Sequence, residues 1–137
     1  MGANPDVVDK QQRKPLHLAA AGGSHETVIL LLGSKSSVNS KDAYGNTPIS
    51  LAMKSHHFKL VNDLVLFGAP INSKNDNGMT CLHECCYNGD SKIFEFLLKQ
   101  DNIKLNLKDQ SSFTPFLRSI GKASIEFNYS MFTNKGN

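Results

Sequence analysis

A short segment that recurs at nearly constant spacing is the strongest constraint that this sequence places on its fold. The segments PLHLAA (15–20), PISLAM (48–53), CLHECC (81–86) and PFLRSI (115–120) begin 33, 33 and 34 residues apart. Asp or Asn stands six residues before each start, and Gly, Gln or Ser stands three residues before, which indicates a turn. A period of this length is typical of a chain built from stacked copies of one supersecondary unit.

Each unit predicts two helices. Pro15, Pro48 and Pro115 stand where a first helical turn needs no backbone donor, and we expect the hydroxyls of Thr47 and Thr114 to cap their helices. A heavier apolar helix follows in the first three units. Because one unit alone cannot bury these faces, we expect the large residues of the second helices to fill the space between units. They are Leu30, Leu31, Leu64, Val65, Leu97 and Leu98.

The period and the residues within it resemble the ankyrin repeat, whose units carry a T-P-L-H-x-A pattern over 33 residues. The positions that match are Leu16, His17, Ala19, Ala20 and Gly23 in one unit; Asp42, Gly45, Thr47, Pro48, Ala52, Gly68 and Ala69 in the next; and Gly78, Thr80, Leu82, His83 and Gly89 in the third. The resemblance implies an all-α repeat solenoid, with a β-turn or hairpin and two antiparallel helices in each repeat.

The same resemblance divides residues 1–137 as one repeat domain. Residues 1–8 match the tail of a preceding repeat, repeats follow at 9–41, 42–74 and 75–108, and residues 109–137 form a degenerate or truncated capping repeat. Since both ends depart from the pattern, we predict that this chain is part of a longer array or of a larger protein.

All three cysteines lie in the segment CLHECC, which suggests zinc by composition but not by geometry. On a helix His83 lies about 200° around the axis from Cys81, so their side chains diverge. We therefore expect three buried structural cysteines rather than a metal site or a thiol nucleophile. By resemblance, His17 and His83 bond to turn backbone and join neighbouring repeats.

Three other residues invite a functional reading. His56 and His57 lie at the bend between two helices, where we expect exposed loop histidines, with His56 straining a position that the family fills with glycine. Asp63 stands where the other units have Leu30 and Phe96. Because burying a lone carboxylate is costly, we expect it to turn outward or to pair with a cation such as Lys59.

Composition favours a non-enzymatic intracellular protein. The net charge of +3 is scattered without a basic run, which argues against nucleic acid, and the longest apolar run, VILLL (28–32), is too short to span a bilayer. The odd cysteine count indicates a reducing compartment, with the cytoplasm favoured over the nucleus. The sequence carries no catalytic, cofactor or metal motif. We predict a monomer that binds another protein as a scaffold or adaptor.

In the ankyrin family partners contact the hairpin tips and the concave side of the first helices. Large apolar residues at such places favour an interface, and the lysines and arginine around them favour a partly acidic partner. The alternative is that Tyr44 and Phe113 only pack on adjacent hairpins. The predicted partner-binding residues are Lys10, Arg13, Tyr44, Asn46, Lys54, Asp76, Met79, Tyr87, Phe113 and Lys122. A second reading makes the repeats an accessory region of a larger enzyme or membrane protein, such as an acyltransferase, kinase or channel.

Overall fold

The computed structural model describes residues 7–120, and this part of the chain contains seven α-helices, turns and no strand. The chain divides into two compact units, one ending at Pro70 and the other beginning at Ile71. The first unit has two pairs of short helices, the described part of the second has one pair and a further helix, and a turn precedes the helices that begin at Pro15, Pro48, Cys81 and Pro115. The fold class is therefore the all-α repeat that the sequence predicts.

The first unit contains α1 (Pro15–Gly22), α2 (His25–Gly33), α3 (Pro48–Lys54) and α4 (Phe58–Leu66). Helix α1 packs against α2 and α3, and α3 packs against α4. Ala20 and Ala52 are completely buried beside large aliphatic side chains. The small residues of the first helices allow this close approach.

The second unit contains α5 (Cys81–Asn88), α6 (Ser91–Leu98) and α7 (Pro115–Ile120). Helix α5 packs against both α6 and α7. Phe94, Leu82, Ile93 and Leu97 are almost completely buried and form its apolar core. The first helices of successive repeats thus face one another inside this unit, which brings the turns before α5 and α7 together.

The helix starts lie where the prolines and threonines predict them. Leu117 donates its backbone N–H to Thr114 Oγ1 at 3.3 Å, which confirms one predicted cap. Thr80 also caps its helix and accepts from the His83 N–H at 3.4 Å. The predicted cap at Thr47 was wrong, because its hydroxyl makes no bond to the first turn of α3.

The predicted core was correct for Leu31, Leu64 and Leu97, which are buried, but wrong for Leu30, which is 66% exposed. Adjacent helical residues point about 100° apart, so Leu30 and Leu31 cannot both face α1. Periodicity indicates an apolar helix here, but a run of five apolar residues does not show which of them face inward. Val65 and Leu98 are half-buried.

Candidate protein-binding surface

Four tip turns, residues 9–13, 42–46, 75–79 and 109–113, share one hydrogen-bond pattern. In each turn the first residue donates its N–H to the carbonyl of the fifth at 2.9–3.1 Å. The side-chain oxygen of the first residue accepts the N–H of the third and the fifth, as Asp42 does from Tyr44 and Asn46, both at 2.9 Å. Asp9, Asn75 and Asp109 do the same. These bonds fix the turn that presents the predicted binding residues.

Backbone bonds connect neighbouring tip turns inside each unit. Ala43 donates its N–H to the Gln11 carbonyl at 2.8 Å, and Gln110 donates to the Asn77 carbonyl at 2.9 Å. At the fourth position of every turn φ is positive, and glycine occupies this position at Gly45 and Gly78. At Gly78 a Cβ atom would lie 2.7 Å from the Gln110 nitrogen, so the close approach of two turns requires a residue without a side chain.

His17 and His83 hold successive tip turns together, as the resemblance implies. His83 Nδ1 accepts from the Thr80 N–H at 3.1 Å, so Nε2 carries the proton and donates to the Phe113 carbonyl at 2.8 Å. His17 likewise accepts from the Lys14 N–H at 3.0 Å and donates to the Asn46 carbonyl at 3.0 Å. Burial lowers the pKa of both imidazoles because it disfavours the charged ring. Both are neutral connectors between repeats.

The cysteines of α5 are buried residues of the helix stack, which confirms the structural reading of CLHECC. Cys81, Cys85 and Cys86 carry free thiols and are at most 3% exposed. Burial raises the pKa of Cys81 and of Cys86 to about 12, and raises that of Cys85 as well. Such thiols are protonated at neutral pH, so they are poor nucleophiles and poor metal ligands.

Asp63 has a partner, as predicted, but that partner is not Lys59. Its Oδ2 lies 2.7 Å from His25 Nδ1, a residue 38 positions earlier, and the carboxylate is neither turned outward nor paired with Lys59. The distance fits an ion pair, while the angle between the groups is poor for a hydrogen bond, since neither atom has a well-aligned partner. Proximity within the first unit, rather than helical spacing, supplies the counter-ion when His25 is protonated.

The bend histidines differ from each other. His56 is exposed and has φ 61°, which confirms the predicted strain at a position suited to glycine. The prediction of an exposed loop residue was wrong for His57, which is only partly exposed. Its Nε2 lies 3.2 Å from the Ala21 carbonyl oxygen, within hydrogen-bond distance. Its ring also covers Gly23, the bend glycine of the preceding repeat.

The predicted binding residues of the first unit lie at or beside two tip turns. Tyr44 projects from the second turn with 59% exposure, and Lys10 and Lys54 are exposed. Arg13 forms an ion pair with Asp9 at 2.9 Å, so its charge is already partnered. Asn46 is only 6% exposed, which leaves little of it for a partner, and its Oδ1 accepts from Lys54 Nζ at 3.3 Å.

The predicted residues of the second unit include two large exposed side chains. Tyr87 is 46% exposed at the end of α5, and Phe113 is 43% exposed in the fourth tip turn. Asp76 is exposed and Met79 is half-buried. Lys122 lies outside the described residues. The Arg118 guanidinium lies 4.7 Å from the centre of the Phe113 ring, so one face of that ring is covered from within the unit.

A cavity of about 310 Å³ lies beside the two tip turns of the second unit, and the sequence did not reveal it. Met79 and Tyr87 line it and were predicted as binding residues. Asn77, Gln110 and Ser111 of the polar lining lie in the tip turns, whereas Glu84 and Arg118 were missed. Position 84 is the variable place of the T-P-L-H-x-A pattern, and the equivalent places hold Leu18, which is 46% exposed, Leu51 and Arg118. The residue type at this place differs among the repeats, and that difference was the sequence signal that could have indicated the cavity.

The described residues gather no metal site and no membrane span. Over residues 7–120, no three His, Cys, Asp or Glu side chains come close enough to hold a metal ion. Within the same range no helix has both the length and the apolar character needed to cross a bilayer. The features that this surface does offer are exposed aromatic rings, a small cavity and charged side chains.

Comparison with protein families agrees with the repeated turns and helix pairs. A model described as "Ankyrin repeats (many copies)" matches residues 49–98, and one described as "Ankyrin repeat" matches residues 12–43. The chain belongs to the ankyrin repeat family. Ankyrin repeats are generally protein-protein interaction modules and are not themselves catalytic.

Similar curated proteins are diverse and much longer. The chain is 34% identical to alpha-latrotoxin-Lg1a of Latrodectus geometricus over 83% of its own length and 9% of the toxin. It is 34% identical to human SH3 and multiple ankyrin repeat domains protein 2 over 92% of its length and 7% of that protein. A probable E3 ubiquitin-protein ligase of rice, XBOS32, is 34% identical over 64% of the chain and 18% of the ligase. The chain thus spans a small part of each relative.

Proposed function

We propose that this ankyrin domain acts as a scaffold or adaptor that binds a partner protein through its tip turns and the exposed side of its first helices. The observation that carries the proposal is the exposure of Tyr44, at 59%, in a turn whose backbone is held by its own side-chain and main-chain bonds. A large ring on a turn whose backbone is already fixed offers contact area at a smaller ordering cost than a ring on a mobile loop. Tyr87 and Phe113 add exposed aromatic rings in the second unit.

The partner segment that meets the first unit carries acidic residues. Lys10 and Lys54 are exposed at or beside the tip turns of the first unit; Lys54 Nζ donates to Asn46 Oδ1 at 3.3 Å, and Arg13 is paired with Asp9. Charges at the rim of an interface act mainly on the association rate and its salt dependence. Raising the ionic strength should therefore slow association with the partner more than it accelerates dissociation.

The test is capture of the partner from a lysate of the source organism, followed by affinity measurement with the purified partner. The variant carries Ala at Tyr44, Met79 and Phe113. We expect it to bind at least about tenfold more weakly, since aromatic anchors supply a large share of binding energy.

A matched control removes apolar area elsewhere. Leu66, 76% exposed, and Phe67, 51% exposed, lie at the end of α4 rather than in a tip turn, so Ala at both should leave affinity unchanged. All variants must show the wild-type circular dichroism spectrum and unfolding midpoint. Equal binding by the tip variant and the wild type, or equal loss in the control, would contradict the proposal.

A second function is supported by the length of the relatives. Because the chain spans under a tenth of the toxin and of the human protein, these repeats serve equally well as the accessory binding region of a larger enzyme or membrane protein. The rice ubiquitin ligase shows such repeats beside another activity. Sequencing the complete gene distinguishes the readings, because a catalytic or membrane-spanning segment outside residues 1–137 would establish the second.

We also propose that the domain is monomeric and intracellular, and that its repeats divide at 9–41, 42–74 and 75–108. The free, buried thiols of α5 suit a reducing compartment. Sedimentation equilibrium tests the first point, and imaging of a tagged full-length protein tests the second. Single-repeat deletions at these boundaries, if they leave a cooperatively folding chain, support the division.

A further inference from the structure

The places that line the cavity of the second unit recur in the first unit with different residues. Four of the lining residues stand at the third place of a tip turn or at the fourth place of the first helix of a repeat, and they are Asn77, Ser111, Glu84 and Arg118. The residues at the same places of the first unit are Gln11, Tyr44, Leu18 and Leu51. Because α1 packs against α3 as α5 packs against α7, these four places share one face in each unit.

This face of the first unit is largely apolar, whereas the corresponding places of the second unit are polar. Tyr44 and Leu18 are exposed, and Leu51 is half-buried. Ala43, next to Tyr44 in the second tip turn, is also exposed. Exposed apolar side chains gain free energy when a partner removes them from water, so this face favours an apolar side chain of the partner.

The same part of the first unit carries the net positive charge of the described chain. Residues 9–22 and 41–54, which span its tip turns and first helices, contain five lysine or arginine residues and two aspartates, a net charge of +3. The other residues of 7–120 contain eight basic and eight acidic side chains. The sums already include ion-paired groups, such as Asp9 with Arg13. A region with this net charge attracts an anionic partner segment.

Nucleic acid is also anionic, but it matches only part of this face. Its affinity comes mainly from phosphates that meet lysine and arginine, and a single strand can stack a base on Tyr44. It offers no aliphatic group to cover Leu18 and Leu51. A protein segment can carry apolar and acidic side chains at neighbouring positions, so the combination favours a protein.

We propose that the first unit binds an acidic segment of the partner protein in which an apolar side chain packs on Leu18, Leu51 and the Tyr44 ring, an inference that rests on the proposed protein-binding function. Carboxylates on either side of that side chain lie near Lys10, which is exposed in the first tip turn. Protein interfaces commonly bury apolar groups at the centre and keep charges at the rim. Neither leucine was among the binding residues predicted from the sequence, so both are added to that surface.

The probe is the blocked peptide acetyl-Glu-Glu-Leu-Glu-Glu-amide, titrated into the ¹⁵N-labelled chain and followed by NMR. Saturable shifts are expected at the amides of Leu18, Tyr44 and Leu51, whereas the amides of Tyr87 and Ser111 in the second unit should not shift. The same peptide with serine in place of leucine, or with glutamine in place of every glutamate, should bind at least about fivefold more weakly. Equal affinity of either altered peptide, or the absence of saturable shifts at the first three amides, overturns the proposal.

Leu18→Ser tests the apolar contact in the protein itself. It should bind the leucine peptide at least about fivefold more weakly, because it removes apolar area from the contact. Leu66→Ser, at an exposed site of α4, is the matched control and should bind as the wild type does. If Leu18→Ser impairs folding, Tyr44→Ser provides the second test, because residue 44 bonds within its turn through the backbone N–H. Unchanged affinity in a folded Leu18→Ser or Tyr44→Ser chain contradicts the proposal.

Lys10→Glu tests the place of the charge. Lys10→Glu and Lys59→Glu alter the net charge equally at exposed sites, but Lys59 lies on α4 rather than in a tip turn. Lys10→Glu should weaken peptide binding at least about threefold, mainly by slowing association, and Lys59→Glu should have a smaller effect. Equal weakening by both would mean that only the total charge of the chain matters, and the proposed placement of the acidic segment would be wrong.

A mixed-sequence DNA duplex tests the other anionic ligand. At an ionic strength of about 0.15 M it should bind more weakly than the peptide. A duplex that shifts the amides of Leu18, Tyr44 and Leu51 with higher affinity than the peptide would replace the proposed protein segment by nucleic acid.

Failure of this inference differs from failure of the protein-binding function. If Leu18→Ser captures the partner as well as the wild type does while the tip-turn variant loses it, the leucine contact is refuted and the protein-binding function stands. If the tip-turn variant binds the partner normally, the general function fails, and this inference fails with it.

Discussion

Gly23 and His57 meet at the bends of two successive repeats. Gly23 has φ 76°, and its position directly beneath the His57 ring leaves no space for a side chain: a Cβ atom there would lie 2.5 Å from His57 Cε1. Its neighbour Gly22 is helical, and nothing lies within 4 Å of an added Cβ. A side chain is therefore excluded at Gly23 and tolerated at the adjacent Gly22, so a substitution at Gly22 is a control for the same substitution at Gly23.

Gly23→Ala should lower the free energy of unfolding by about 1–3 kcal/mol, because alanine is strained at positive φ and its methyl group displaces the His57 ring. Gly22→Ala should leave the free energy of unfolding unchanged or raise it by up to about 1 kcal/mol, since it improves helix propensity. Urea denaturation of the two variants measures the difference. Similar values for both would mean that the contact between Gly23 and His57 does not constrain the fold.

Residue-scale contacts were the least predictable part of the molecule. The period of the sequence indicated that His56 occupies a glycine-like position, and its φ of 61° confirms this. It could not indicate that His25 lies beside Asp63, or that His57 covers Gly23. Those pairs depend on the distance between different helices, which spacing along one helix does not report.

At the scale of the element, α5 has the same position in its repeat as α1 and α3 but an unusual composition. Its first six residues, Cys81 through Cys86, are all buried. Among them Glu84 lines the cavity, and His83 bonds to the next tip turn. The helix start was predictable from its phase in the repeat. The cavity was not, because it requires the side chains of α5, α7 and two tip turns to be placed together.

The thiols of α5 should be unreactive while the second unit is folded. At pH 8 we expect Ellman's reagent to label them at least about a hundredfold more slowly in buffer than in 8 M urea, because burial excludes the reagent and the raised pKa values leave little thiolate. The urea sample thus serves as the accessible reference.

A positive control comes from the same helix. Asn88 is exposed at the end of α5, so Asn88→Cys should add one rapidly labelled thiol in buffer. Native labelling of the wild-type cysteines at the rate of that added thiol would contradict their burial. It would also reopen the catalytic and metal-binding readings of the CLHECC segment.

At the scale of the whole molecule, each compact unit carries one buried histidine that connects two tip turns. His17 serves the first unit and His83 the second, and both rings are fully buried. The fold therefore contains the same titratable connector twice. The resemblance to the ankyrin repeat implied this arrangement, and the bonds of His17 and His83 confirm it, although Ser50 and Leu117 stand at the equivalent places of the other two units.

This repetition makes the stability of the chain sensitive to mild acid. The pKa of each buried histidine is lowered below its unfolded value of about 6.5, so the unfolded state binds the proton more readily. The favourable contribution of each neutral ring is complete above pH 6.5 and is lost as the pH falls through the folded pKa. Asp9 and Asp109 have pKa values lowered from 3.8, so their contributions are lost only in stronger acid.

Between pH 6.5 and 5, we expect each histidine to reduce the free energy of unfolding by at most about 1.4 kcal/mol per pH unit. A chain carrying His17→Gln and His83→Gln should be less stable at pH 7.5, because it lacks the imidazole bonds, but should show a flatter dependence on pH. Urea denaturation at a series of pH values measures both effects. If the double variant loses stability as steeply as the wild type, the acid sensitivity arises from other groups and the neutral connectors do not control it.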